Sequence, residues 1–307
     1  MSKERSESSS NIIYDEEGQP IGIAISDGSL DYASEVEDKK IETEKNRINK
    51  DAQPIQAKKI IIAGPCALES QAHAQTTIAQ AKQIGVTAVR MNLWKPRTKP
   101  GYEGVGEEGI PWVKEAAEQG LNVAMEVMLA AQAELLMEGI LASVPHAVLL
   151  LWIGSRNQNH LVQQDIGRAI AGEDRVKLII KNQPWRDEDH WKGIVKHVMS
   201  GGVNEDQLML CHRGHAPYDK KTAPKRNIPD LEMARRVKEQ LALPLLLDPS
   251  HIGGTVGIVK KLAEEYGHES WIDGQIIEVH PDPVNARTDS QQQLTWDELR
   301  VLWPIIS

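Results

Sequence analysis

Residues 58–94, KKIIIAGPCALESQAHAQTTIAQAKQIGVTAVRMNLW, hold one apolar run, one stretch of helical length and a second apolar run. Ile60 to Ala63 and Ala88 to Trp94 read as strands, and 71–84 reads as the helix between them. The apolar runs are continuous rather than alternating, as in strands buried on both faces, and strand–helix–strand is the unit of a parallel sheet. The unit then recurs. Further strands are expected at 122–127, 147–153, 177–180, 207–210, 243–247 and 274–279. Helices are expected at 109–119, 131–139, 160–171, 188–200, 229–241, 255–267 and 295–303. Eight units in about 250 residues match a (β/α)8 TIM barrel. A doubly wound sheet is the alternative arrangement of the same elements.

Polar residues cluster just after the apolar runs. They include Cys66, the run Lys95-Pro96-Arg97-Thr98 with its Gly-rich sequel 100–106, Glu126, Gly154-Ser155-Arg156-Asn157 and Lys181-Asn182. Later come Cys211-His212-Arg213-Gly214, Asp248-Pro249-Ser250-His251 and Glu278 to Pro283, then Asp289. In a barrel these tips converge on the face where active sites of the fold lie. Six cations come from four strands: Arg90, Lys95, Arg97, Arg156, Lys181 and Arg213. Any one of them is readily explained by a surface ion pair. Six at one rim repel one another unless an anion neutralises them, so the site is expected to take one or two multiply charged anions. Cys66, His251, Glu278 and Asp289 supply a thiolate, an imidazole and two carboxylates, a donor set for a divalent transition metal with one position open. Cys211 closes an apolar strand and reads as core. His212, His215 and His280 read as loop or supporting residues.

Composition bounds the rest. The 307 residues are 40% hydrophobic and 26% charged, with net charge −9. An acidic chain lacks the basic field that a nucleic-acid surface needs. No apolar run approaches the roughly 20 residues that span a bilayer, and the start has no secretory h-region, so no membrane partner and a cytoplasmic location are expected. Two cysteines make no disulfide framework. Residues 1–57 are rich in Ser, Glu, Lys and Asp, and read as an N-terminal extension with one short hairpin (Ile12 to Ile25) and a charged helix within 35–50. The catalytic domain is expected at 58–307.

Together these motifs resemble type I 3-deoxy-7-phosphoheptulonate (DAHP) synthase, the enzyme opening the shikimate pathway. The likeness is densest in AGPCALES (63–70), KPRT (95–98), GSRN (154–157), Lys181-Asn182, HRG (212–214), DPSHIGG (248–254) and IEVHPDPVNARTD (277–289). The extended forms look most like a subgroup often fused to chorismate mutase, a domain expected to be absent here. The resemblance implies a metal-dependent, aldol-like condensation of phosphoenolpyruvate with erythrose 4-phosphate that releases phosphate. It implies Mn, Fe, Co or Zn held by Cys66, His251, Glu278 and Asp289. It matches Arg90, Lys95, Arg156, Lys181 and Arg213 to phosphoenolpyruvate, Glu126 to the edge of that pocket, and Arg97 and Thr98 to the aldose phosphate. Lys95 is expected as the acid for the forming alkoxide, with His251 beside the water that adds at C2. The family implies a homo-oligomer, dimer or tetramer. Ser155, where the family usually has Ala, the loop Asn157 to His160, and Met91-Asn92 depart from its pattern. The nearest alternative is 3-deoxy-octulosonate 8-phosphate synthase, which uses arabinose 5-phosphate and resembles an Asn-Arg-Thr-Ser pattern where this chain has KPRT. A non-catalytic regulatory homologue is the alternative of another class.

Overall fold

The computed structural model describes residues 12–14, 20–23, 58–95, 101–221 and 223–307. Residues 1–57 and 58–307 are two separate units. In the first, Ile12–Tyr14 (β1) and Pro20–Ile23 (β2) pair antiparallel, with Ile12 opposite Ile23 and Ile13 opposite Gly22. The charged stretch 35–50, read as a helix, lies outside the described residues, as do Arg97 and Thr98.

The second unit is the expected barrel. Its strands are Ile60–Gly64 (β3), Ala88–Arg90 (β4), Val123–Val127 (β5), Leu149–Ile153 (β6), Val176–Lys181 (β7), Leu208–His212 (β8), Leu245–Leu247 (β9) and Gly274–Glu278 (β10). Each pairs in parallel with its sequence neighbours, and β10 closes on β3 with Gly274 opposite Ile60 and Glu278 opposite Gly64. The continuous apolar runs follow from this closure. Alternate residues, among them Ile62, Ala124, Trp152, Ile179, Cys211 and Ile276, fill the barrel interior. Their neighbours, such as Ile61, Val123, Leu151 and Leu178, pack under the helices. Each such side chain contributes roughly 1.5–3 kcal/mol when fully buried.

The helices are Gln71–Ile84 (α1), Ile110–Glu118 (α2), Ala130–Leu136 (α3), His160–Ile170 (α4), Glu188–Met199 (α5), Leu231–Leu241 (α6), Pro249–Gly253 (α7), Val256–Gly267 (α8) and Trp296–Ile306 (α9). Local chemistry starts them. The side chains of Ser70, Asn159, Asp187, Asp230, Asp248 and Thr295 each accept a backbone N–H of the first turn.

Three departures from the sequence reading stand out. The strand expected to run to Trp94 stops at Arg90, because Asn92 turns inward. Its Nδ2 donates to Cys66 O at 2.8 Å and its Oδ1 accepts from Glu126 N at 2.8 Å. The helix expected over 131–139 becomes a π-turn from Met137 to Leu141. The DPSH stretch, read as a strand-end loop, is the short helix α7, with Asp248 as N-cap and Pro249 at its first position.

Candidate active site

Arg90, Lys181, His212 and Glu278 are the last residues of β4, β7, β8 and β10, so closure brings their side chains to one end of the barrel. Cys66 follows β3 after Gly64 and Pro65. At Gly64 (φ 156°) an added Cβ would overlap the Arg90 carbonyl, so this approach of β3 to β4 admits only glycine.

Three of the four metal-ligand candidates meet within a few ångströms. Donor atoms of Cys66, Glu278 and Asp289 lie within 4.8 Å of one another. Cys66 Sγ is 3.2 Å from Asp289 Oδ2. His251 joins from α7, its Nε2 3.7 Å from Glu278 Oε1. Its Nδ1 faces Asp248 Oδ2 at 2.8 Å, and this bond leaves the Nε2 lone pair free to ligate. Glu278 is wholly buried. Its Oε2 accepts from Gln292 Nε2, while Oε1 has Arg90 Nη2 at 2.8 Å but no aligned hydrogen-bond donor. Burial, with Glu278 adding to it, pushes the Cys66 thiol up to about 12. A soft divalent cation is the group that draws out such a thiolate. The donor chemistry and the unsatisfied Glu278 oxygen therefore fit a transition metal. Asp289 adopts a left-handed backbone (φ 46°), which aspartate tolerates. Burial would raise its carboxyl, but Lys95 and Arg226 outweigh that and hold it far below the usual carboxylate range.

The five described rim cations divide into two groups, three that meet a carboxylate and two that do not. Lys95 Nζ lies 2.7 Å from Cys66 Sγ and 2.9 Å from Asp289 Oδ2, among the metal donors. Arg90 pairs with Glu278, and Lys181 Nζ pairs with Asp248 Oδ2 at 2.7 Å. Both stand over the Trp152 ring, 5.1 and 5.0 Å from its centre. Arg156 and Arg213 have no carboxylate partner among the described residues, and Arg213 is 8% exposed. Burial, with repulsion from Arg226 and Arg156 overriding Asp248, lowers Arg213 to about 10. Arg90, Lys95, Glu126, Arg156, Lys181, Arg213 and His251 line one recess. Glu126 reaches it because residue 154 is glycine: a Cβ there would overlap the Glu126 carboxylate. The recess shares Ser155, Arg156 and Arg213 with a cavity of about 410 Å³.

Sequence reasoning missed Asp248, Arg226 and Gln292. Asp248 bridges Lys181 and His251, and Arg226 Nη1 pairs with Asp289 Oδ1 at 3.0 Å and with Gln292 Oε1. The Asp-Pro step was legible as a helix start. Nothing in the sequence around Arg226 marked its partner, 63 positions away. Cys211 is buried in the barrel interior, as expected. Among the described residues no helix is long and apolar enough to cross a membrane.

Known proteins resemble this chain in sequence and fold. A phospho-2-dehydro-3-deoxyheptonate aldolase of Thermotoga maritima is 29% identical over 245 residues, covering 79% of this chain and 67% of that one. A 2-dehydro-3-deoxyphosphooctonate aldolase of Nitratidesulfovibrio vulgaris is 26% identical over 275 residues, covering 80% of this chain and 90% of that one. The crystal structure of the Thermotoga maritima DAHP synthase superposes with a TM-score of 0.70 at 26% identity, over 83% of this chain and 71% of that one. Residues 41–306 match the DAHP synthetase I family along nearly the whole barrel, and the chain belongs to that family of C–C bond-forming transferases.

Proposed function

We propose that the chain condenses phosphoenolpyruvate with erythrose 4-phosphate and releases inorganic phosphate. The observation that carries this reading is the pair of unneutralised guanidiniums, Arg156 and Arg213, in one recess with Lys181 and beside the Cys66, His251, Glu278 and Asp289 donor set. Arg156, Lys181 and Arg213 take the phosphate of phosphoenolpyruvate, and Arg90 with Lys95 stands at its reacting end. C3 of phosphoenolpyruvate attacks the aldose C1, and Lys95, as an ammonium, protonates the alkoxide that forms. Water adds at C2, and the bridging oxygen departs with the phosphate. A divalent ion held by the four donors, of the Mn, Fe, Co or Zn class, supplies Lewis acidity toward the aldehyde. His251, fixed by Asp248, stays neutral because burial lowers its pKa, although Asp248 works the other way.

The Nitratidesulfovibrio vulgaris likeness supports a second reading, with arabinose 5-phosphate as the aldose. Phosphate release measured with each aldose separates the two. We expect consumption of phosphoenolpyruvate only with erythrose 4-phosphate. Equal or faster turnover with arabinose 5-phosphate would overturn the assignment, and no release with either would support a non-catalytic role.

A further inference from the structure

We propose that two buried side-chain amides, Asn92 and Gln293, grip the backbone of Cys66 and act as positioning residues for its thiolate. This rests on the reading of Cys66 as a metal donor.

Cys66 lies between β3 and α1, outside any strand or helix. Among the described residues its N–H and C=O have no backbone partner. Side-chain amides take both. Gln293 Oε1 accepts from Cys66 N at 2.8 Å, and Asn92 Nδ2 donates to Cys66 O at 2.8 Å. Arg90 Nη2 adds a longer contact to the same carbonyl, at 3.3 Å. The other end of each amide is used as well. Gln293 Nε2 donates to Thr288 O at 2.8 Å, and Asn92 Oδ1 accepts from Glu126 N at 2.8 Å. A backbone N–H only donates and a carbonyl only accepts, so these partners fix which way round each amide lies. Both side chains are buried, so neither has water as a substitute partner.

The consequence is geometric. With its N–H and C=O both pinned, Cys66 has little freedom to swing its Cα–Cβ bond, and Sγ stays 3.2 Å from Asp289 Oδ2. Thr288 is the neighbour of Asp289, so Gln293 fixes the spacing of two metal donors with one side chain. Asn92 ties the same cysteine to β5 at Glu126, which lines the recess. A carboxamide suits this task because it donates and accepts at once and brings no charge. A carboxylate or ammonium in either place would alter the field at the thiolate. The polar contacts of Sγ are Lys95 and Asp289, so the two amides act on it only through the Cys66 backbone.

The test is titration of the full chain, stripped with chelator, with cobalt(II). It is followed by the thiolate-to-cobalt charge-transfer absorption, with circular dichroism on each variant. Cys66→Ala identifies the band by abolishing it. We expect Gln293→Met and Asn92→Ala each to weaken cobalt binding about tenfold or more, and to shift and weaken the band at saturation. Asn92→Ala should also raise the KM for phosphoenolpyruvate above that of Gln293→Met, because only Asn92 reaches Glu126. Cobalt affinity within about twofold of the parent, with an unmoved band, would overturn the inference. So would weaker affinity with an unmoved band, since the amides would then support the fold and not the thiolate. If these replacements do not fold, Asn92→Ser and Gln293→Ser, too short to span both partners, are read in the same way. Absence of a thiolate band in the parent chain would overturn the four-donor reading itself, and this inference with it.

Discussion

Asp248 is the residue on which both halves of the site depend. One buried oxygen, Oδ2, meets the Lys181 ammonium at 2.7 Å and the His251 imidazole at 2.8 Å. Asp248→Asn leaves Lys181 buried without a counter-charge and removes the anion that fixes the His251 tautomer. Breaking such a pair costs roughly 3–5 kcal/mol, and losing the anchor of a metal ligand lowers metal affinity about 10–100-fold. We expect a higher KM for phosphoenolpyruvate together with weaker metal binding, measured by steady-state kinetics and metal titration. If only one of the two changes, Asp248 serves one half of the site. At Cys66, chelator should abolish turnover, and Cys66→Ala should not recover with added metal. Cys211→Ala, deep in the barrel, should leave activity nearly unchanged. Full activity after exhaustive chelation would refute the four-donor site. His212 gives a pH prediction. Burial lowers its pKa from 6.5 to about 3, and its Nε2 accepts from Asp230 N at 2.9 Å. The unfolded state therefore binds the proton first. The stability contribution is whole above pH 6.5 and is lost as pH falls toward 3, by at most about 1.4 kcal/mol per pH unit. Urea midpoints across that range should fall less steeply in His212→Gln, which keeps an acceptor but does not titrate.

At the scale of elements, caps and strand ends place the chemistry. Ser70 Oγ accepts His73 N at 3.2 Å and starts α1 four residues after Cys66. Ser70→Ala should cost about 1 kcal/mol, read as a drop of about 2–4 °C in Tm. A larger loss would mean that the cap also holds the Cys66 loop. Helix α1 ends where the sequence reading expected, because Ser70 and Gly85 are strong local signals that no tertiary contact overrides. The β4 strand was overestimated because Met91 and Leu93 are as apolar as strand residues and just as buried. Only the partners of Asn92, on the Cys66 loop and on β5, reveal that the chain has left the sheet.

For the whole molecule, the barrel closes within residues 58–307, β10 on β3, without any strand from the N-terminal unit. We predict that a chain beginning near Gln56 folds and keeps the basal reaction, tested by circular dichroism and phosphate release beside the full-length protein. Loss of turnover in a folded truncation would show that residues 1–57 help to build the site. The sequence by itself determined a parallel β/α architecture, because eight continuous apolar runs spaced by helices must bury both strand faces, and the closure of β10 on β3 decided the barrel over the doubly wound sheet. It also marked the candidate metal donors and the rim cations, because residues at strand tips must converge once the barrel closes. Only the tertiary structure decided which cations are neutralised and which remain free. Arg90, Lys95 and Lys181 find Glu278, Asp289 and Asp248 across the barrel, at separations of 188, 194 and 67 positions, while Arg156 and Arg213 find no carboxylate among the described residues. Charge pairing is set by distances of a few ångströms between side chains, and such distances exist only after closure.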